Sequence, residues 1–401
     1  MSGTLRREAS WCNSQAGAVA DPAVIKALLG EALAARPRNG VLHAKLAYVY
    51  LDQYDFASAA VHLEEAAELG ALSEVDLTKL ARCFNMLERP EDAIGVLGDV
   101  GSPQYERAAA FLKLGREQAA EGELRAVLAG NPDDFRACRI LCRVMRNNDR
   151  IGEMLDLCEG LAWRGAGNAQ LLFNWGWALA LSGETEKANH LLLEPDRIQQ
   201  GTVRAPQGFA DLSAFNDALA RDILGNENRL STFPLSDEAN RGSSRVETLL
   251  AGQRPELIQL LLDTLISHAE SYQCVARDGF DPWPRMRPHR AHLKAWGLLQ
   301  RRDAYEEWHI HPGGWLSGVY YVRVPESVRS SEQGLGCIEY GPPAGLAKVL
   351  PDAAPAWRYV PREGTFLLAP SHYAHRTIPS GKDEHRISIA FDIVPDRGAE
   401  I

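Results

Sequence analysis

No stretch of this 401-residue chain approaches the roughly 18 consecutive apolar residues that a membrane-spanning helix requires, so no contact with a bilayer is expected. The opening residues, MSGTLRREASWCNSQAGAVADP, lack the continuous apolar core of a secretory signal. They read as a flexible lead-in over 1–21 on a cytoplasmic protein. Positive charge is in deficit too: 43 Lys and Arg stand against 53 Asp and Glu, a formal net charge of −10. That balance argues against nonspecific nucleic-acid binding, which needs a basic surface. The 7 cysteines, Cys12, Cys83, Cys138, Cys142, Cys158, Cys274 and Cys337, show no framework spacing. An odd, scattered set in a chain this long points to reduced thiols. Cys138 and Cys142, four apart on a helical stretch, read as small core residues rather than half of a metal site.

What the chain does have is apolar material for real cores, 45% of its residues, and length enough for two or three domains. From 22 to 195 the pattern is helical and repetitive. Small residues recur at Ala47, Ala81, Ala108, Cys142 and Gly176, stepping by 34, 27, 34 and 34. Three positions after each stands a larger apolar residue: Tyr50, Phe84, Phe111, Met145 and Leu179. Twelve positions after each stands Ala59, Ala93, Ala120, Met154 or Ala188. A period of about 34 residues is the signature of tetratricopeptide repeats, in which two antiparallel helices pack small against large. About five such repeats are expected, after a leading half-repeat at 22–37, with a shortened turn at the 27-residue step. Arrays of this kind stack into a solenoid whose groove can take a peptide or protein, as substrate or as partner. The same surface could instead rest on the neighbouring domain or form a homodimer contact.

Regularity stops at 196–289. A short helix is expected over 211–224, capped by Asp211 or Ser213, and a longer one from Pro255 to about 272 with one apolar face. From 290 to 401 the reading changes to strands, with a hairpin expected between Trp357–Val360 and Thr365–Leu368, and a lid or variable insertion at 341–356. In WHIHPGGWLSGVYYV, residues 308–322, His309 and His311 are two apart, so an extended backbone aims both imidazoles to one side. His375 follows at the head of another β-rich run. Three convergent imidazoles suit iron, zinc or copper. Further on, RISIAFD at 386–392 alternates Ile387, Ile389 and Phe391 against Arg386, Ser388 and Ala390. An arginine fork beside a hydroxyl suits a carboxylate.

HIHPGGWLSGVYYVRVP at 309–325, VPREGTFLLAPSHYAHRTIP at 360–379 and HRISIAFDI at 385–393, in that order, resemble the 2OG-Fe(II) oxygenase family. The resemblance implies a double-stranded β-helix, or jelly roll, that uses Fe(II), 2-oxoglutarate and O2. It further implies His309 and His375 as iron ligands and Arg386 on the distal carboxylate of 2-oxoglutarate. Ser388, and Tyr320 or Tyr321, are candidates to help hold that carboxylate. The wider superfamily has Asp or Glu where this chain has His311, so either His311 is a third nitrogen ligand or two histidines and waters hold the iron. Repeats fused to such a domain resemble the architecture of aspartyl/asparaginyl β-hydroxylases.

The expected fold is therefore an α+β multidomain chain. An all-α tetratricopeptide-like superhelix at 22–195 leads, through a linker with supporting helices at 196–289, to the β-helix core at 290–401. The expected activity is a dioxygenase that hydroxylates a peptidyl or carrier-bound substrate docked with help from the repeats. The alternatives are a small-molecule tailoring oxygenase with the repeats as scaffold, and a non-catalytic binding protein.

Overall fold

A computed structural model describes residues 22–98, 104–227, 239–274, 279–350, 356–381 and 383–396, and the backbone of 10–13 and 229–230. The side chain of Cys12 and residues 351–355 of the expected lid lie outside the described residues. The six described cysteines are free thiols.

The helical region opens with α1 (Pro22–Ala35) and continues as helix pairs: α2 (Gly40–Asp52) with α3 (Phe56–Glu68), α4 (Glu74–Met86) with α5 (Pro90–Val96), and α6 (Tyr105–Lys113) with α7 (Glu117–Gly130). Then come α8 (Phe135–Asn147) and α9 (Ile151–Trp163), followed by the pair α10 (Ala169–Leu181) with α11 (Thr185–Leu192). This is the arrangement expected of five repeats behind a half-repeat. Ala47, Ala81, Ala108 and Cys142 are fully buried, as are Ala59, Ala93, Ala120, Met154 and Ala188 twelve positions on. The 27-residue step coincides with α5, which is only 7 residues long.

Gly176 shows why the small position matters. A Cβ there would lie 2.5–2.7 Å from three side-chain carbons of Leu192, itself buried and unable to swing clear. Gly176→Ala should therefore overpack this pair and cost about 1–3 kcal/mol. Thermal unfolding followed by circular dichroism should fall by several degrees; an unaltered midpoint would contradict the packing argument.

The chain divides into two compact units. One holds Ala20–Met154 with Trp163–Ala166, the other Met1–Val19, Leu155–Ala162 and Gly167–Ile401. The division differs from the expected boundary at 195, because α10 and α11 pack within the β-rich unit. The Gln170 amide donates to the Pro312 carbonyl at 3.3 Å, Trp175 meets Phe280 edge to face, and His372 Nε2 donates to the Leu191 carbonyl at 2.9 Å.

The strands are β1 (Ser10–Asn13), β2 (Gln199–Thr202), β3 (Arg229–Leu230), β4 (Asn240–Arg241), β5 (Ser244–Val246), β6 (Arg290–Gln300) and β7 (Tyr305–Glu306). They continue as β8 (Leu316–Arg323), β9 (Ile338–Tyr340), β10 (Trp357–Tyr359), β11 (Thr365–Pro370), β12 (His375–Thr377) and β13 (Arg386–Pro395). The main sheet runs β2-β11-β8-β13-β6-β5-β3, with β1 added parallel to β6. Ser10–Asn13 is thus a paired strand, not part of a loose lead-in. A smaller sheet runs β10-β9-β12. Side chains of both sheets, among them Tyr321, Leu367, Ile338 and Tyr340, share one buried core, as expected of a double-stranded β-helix. The expected hairpin does not form. β10 pairs with β9 while β11 pairs with β8 and β2, so the turn at 361–364 carries the chain from one sheet to the other.

The outer face of the main sheet is apolar: Leu293, Ala295, Ile387, Ile389, Phe391 and Ile393 are buried. Two helices supply partners for it, α12 (Leu212–Leu224) and α13 (Pro255–Glu270). Asp211 caps α12 by accepting from the Ala214 amide at 2.8 Å, and Pro255 opens α13, where its missing N–H costs nothing. Among the described residues, no helix is long and apolar enough to cross a membrane.

Candidate metal centre

Three local devices bring the histidines together. His309 and His375 lie opposite one another across an antiparallel bridge: each amide donates to the other's carbonyl, at 3.0 and 2.9 Å. His311 is two residues on, its amide donating to the Ser371 carbonyl at 3.0 Å. Extended backbone at 309–311 does the rest, and one ring nitrogen of each histidine lies within 4.8 Å of the others. His311 and His375 are buried; His309 is half-buried.

The remaining ring nitrogens are all spoken for. Nδ1 of His309 meets the Glu307 carbonyl at 2.7 Å and Nδ1 of His375 meets the Tyr373 carbonyl at 3.1 Å. Nδ1 of His311 meets Oδ1 of Asp392 at 2.5 Å. Carbonyls and carboxylates only accept, so the proton sits on Nδ1 in each ring and Nε2 is the atom left to bind something. Burial pushes His309 down to about 3, with His311 beside it adding to the effect. Burial, His309 and His311 hold His375 well below the usual histidine range. Both are therefore neutral and carry a free lone pair at neutral pH. Such a donor set, each ring fixed from behind by an oxygen, fits a divalent first-row metal.

Asp392 is the residue that sequence reasoning missed. It continues the alternation Arg386, Ser388, Ala390 by one more step, so the signal was there in the strand period. Trp296 was not expected at the site either: it stacks on His311 with ring centroids 5.6 Å apart.

Arg386 begins the same row. β13 is a central strand between β8 and β6, so this row is an interior face rather than a solvated edge. Arg386 is 3% exposed and donates to the Gly336 carbonyl and to Oε1 of Gln300, its register partner on β6. Its Nε has no hydrogen-bond partner, and no described carboxylate forms an ion pair with it. A buried guanidinium without a counter-charge is costly, so a carboxylate-bearing ligand fits here. Ser388 is buried and registers with Tyr321 on β8. Burial pushes the Tyr321 hydroxyl up to about 12, with Arg386 close enough to pull the other way. Tyr320 does not share this face. Strand alternation turns it outward, where its hydroxyl donates to Oδ1 of Asn216 on α12 at 2.6 Å. Glu306, buried and pushed up to about 7 mainly by burial, feels both Arg386 and His311.

Arg376 is held outside the triad. It pairs with Glu339 at 2.7 Å, a carboxylate shared with Arg358, and lies over the Trp308 ring. His372 is also outside, committed to the Leu191 carbonyl.

Residues 294–392 match the family model described as "Putative 2OG-Fe(II) oxygenase". No curated protein matches the chain. Among solved structures, a prolyl-4-hydroxylase from Pseudomonas putida aligns with 50% of this chain and 94% of its own, at 14% identity and a TM-score of 0.34. A prolyl hydroxylase from Trichoplax adhaerens, in complex with a hypoxia inducible factor peptide fragment, aligns with 54% of this chain and 93% of its own, at 13% identity and a TM-score of 0.34. YrrB, a TPR protein with an unusual peptide-binding site, aligns with 41% of this chain and 88% of its own, at 16% identity and a TM-score of 0.32. The sequence match and the histidine cluster inside it lead to one statement: residues 294–392 are similar to the 2OG-Fe(II) oxygenase family and hold the three histidines, and they follow an N-terminal run of tetratricopeptide-like helices.

Proposed function

We propose that this protein is an Fe(II)- and 2-oxoglutarate-dependent hydroxylase acting on a polypeptide that the helical repeats help to recruit. The observation that carries the reading is the pairing of two features on one interior face. Three imidazoles have Nδ1 engaged and Nε2 left over, and an arginine is buried without a carboxylate.

An iron–2-oxoglutarate centre supplies oxidation of a C–H bond by O2, with the keto acid leaving as succinate and CO2. The chain's part is to hold, orient and enclose. Nε2 of His309, His311 and His375 would hold the metal. Arg386 would take the distal carboxylate, with the hydroxyls of Tyr321 and Ser388 beside it. Buried walls, Trp296, Leu298 and Ala390 among them, keep bulk water from the reacting centre. The Glu307 and Tyr373 carbonyls and Asp392 keep each imidazole in one orientation, which is what a reproducible metal geometry needs.

Anaerobic titration with Fe(II) and 2-oxoglutarate, followed by the visible charge-transfer band, tests the centre. Succinate formation against peptide and metabolite pools tests the substrate class. Peptides that raise succinate output above the uncoupled rate support the reading, and stimulation by metabolites alone overturns its polypeptide part. His311→Ala decides between the two ligand sets: loss of the band makes His311 a ligand, and an unaltered band leaves two histidines and waters.

Asp392→Asn removes the charge behind His311 but keeps the shape. Metal affinity should weaken by about 10- to 100-fold, measured by competition with a chelator. Wild-type affinity would mean that the short contact does not tune the ring.

A further inference from the structure

Arg386 is aimed by groups that carry no charge. A guanidinium has several N–H donors in a rigid fork; in Arg386 one goes to the Gly336 carbonyl and one to Oε1 of Gln300. Neutral oxygens fix the direction of the fork without cancelling its charge, as a paired carboxylate would. Gln300 lies opposite Arg386 in the register of β6 against β13, and it is buried.

Behind Gln300 the hydrogen bonds run on in one sense. A guanidinium only donates, so the oxygen of the Gln300 amide faces Arg386 and its NH2 group faces away. That group donates to Oγ of Ser243 at 3.0 Å and to Oγ1 of Thr377 at 3.4 Å. Oγ of Ser243 donates in turn to Oε1 of Glu306 at 3.3 Å. The chain Arg386–Gln300–Ser243–Glu306 thus starts on a cation and ends on a carboxyl, with two neutral side chains between. All four residues are buried. Burial lowers Arg386, and Tyr321 and Glu306 act against it. Burial pushes Glu306 up to about 7, against Arg245, Ser243 and Arg386. The two ends therefore sense each other.

Local structure fixes each link. Gly242, at φ +79°, makes the bend between β4 and β5 that delivers Ser243. The Asn240 side chain clamps that bend, accepting from the Ser243 amide at 2.8 Å and donating to its carbonyl at 3.1 Å. At the far end, the Glu306 amide donates to Oγ1 of Thr377 at 2.8 Å. Bracing alone would be met more simply by a carboxylate at 300, paired directly with Arg386; the chain has an amide there.

We propose that Gln300, backed by Ser243 and Glu306, is a positioning residue for 2-oxoglutarate: it aims the Arg386 fork and keeps the balancing carboxyl two side chains away, so the guanidinium charge stays available to the keto acid. The proposal rests on the reading of Arg386 as the anchor of the distal carboxylate. The test is anaerobic calorimetric titration of the Fe(II)-loaded, full-length protein with 2-oxoglutarate. Fe(II) affinity and the thermal midpoint without 2-oxoglutarate are measured beside it.

Gln300→Met keeps the length and removes the acceptor. Affinity for 2-oxoglutarate should fall about tenfold, the scale of one hydrogen bond to a charged group, with Fe(II) affinity unchanged. Gln300→Glu separates positioning from bracing, because it keeps shape and acceptor but sets a carboxylate against Arg386. Its midpoint should hold or rise while 2-oxoglutarate affinity falls about tenfold or more. The KM for 2-oxoglutarate should follow in both variants, with kcat nearly unchanged. A bracing role predicts wild-type affinity in Gln300→Glu, and that result overturns the proposal. So does wild-type affinity in Gln300→Met, or an equal loss of Fe(II) affinity there. Ser243→Ala, a milder cut that removes one hydroxyl, should weaken binding about threefold; it decides if Gln300→Met does not fold, and wild-type affinity in it removes the chain behind Gln300. Arg386→Gln in the same titration keeps the two levels apart. If it also binds as wild type, the anchor reading fails; if it alone loses affinity, only the role of Gln300 falls.

Discussion

A His375→Ala variant should fold, fail to retain iron and lose succinate formation by more than about 100-fold. Loss of a partner behind a metal-bound histidine alone costs about 10- to 100-fold, and removing one of three donors should cost more. Folding should survive because the bridge that places His375 is made by its backbone: the exchange of amide and carbonyl with His309 needs no imidazole. What goes is the ring against Tyr340, whose centroid is 5.2 Å away, and the Nε2 atom of the triad. Far-UV circular dichroism should match wild type, while metal analysis and the charge-transfer band should both register the loss. His309→Ala should behave alike. Wild-type iron content in both variants would remove the metal centre from this site.

The second large effect is expected at Arg386. Truncating one partner of a buried, hydrogen-bonded charge pair costs about 2–5 kcal/mol, which at 1.4 kcal/mol per tenfold is about 30- to 4,000-fold in affinity. Arg386→Gln should raise the KM for 2-oxoglutarate over that range with a smaller change in kcat. Arg386→Lys should recover part of the loss, since an ammonium restores the charge but not the fork. The Gly336 carbonyl and Oε1 of Gln300 lose their donor in the glutamine variant, so thermal stability should be measured alongside. An unchanged KM would mean that the guanidinium braces the β9–β13 region and takes no part in binding the keto acid.

Local patterns in the chain carried the helical half well. The small-to-large spacing around Ala47, Ala81 and Gly176 depends only on neighbours within a helix pair, and so does the Asp211 cap on α12. The convergence of His309 and His311 was legible for the same reason, since strand period alone aims both rings. Features that depend on distant partners were not legible. The Thr365–Pro370 strand pairs with residues far earlier in the chain rather than with the strand just before it, because the two lie in different sheets. Tyr320 and Tyr321 are equivalent as letters. Only the register of β8 against β13 turns one towards Arg386 and the other towards Asn216. The pairing of Ser10–Asn13 with Arg290–Leu293 joins segments that no local rule connects.

That α10 and α11 belong to the β-rich unit bears on where this protein can be cut. A fragment beginning at Pro195, where the repeat pattern ends, would discard Leu191 and strip its carbonyl from His372. The imidazole, 0% exposed, would be left with a bare N–H three residues before a histidine of the triad. Trp175 would vanish from beside Phe280 in the same stroke. Anyone preparing the catalytic portion alone should keep the final helix pair, and even a cut just upstream of Gly167 discards Leu155–Ala162 and the Ser10–Asn13 strand of the same unit.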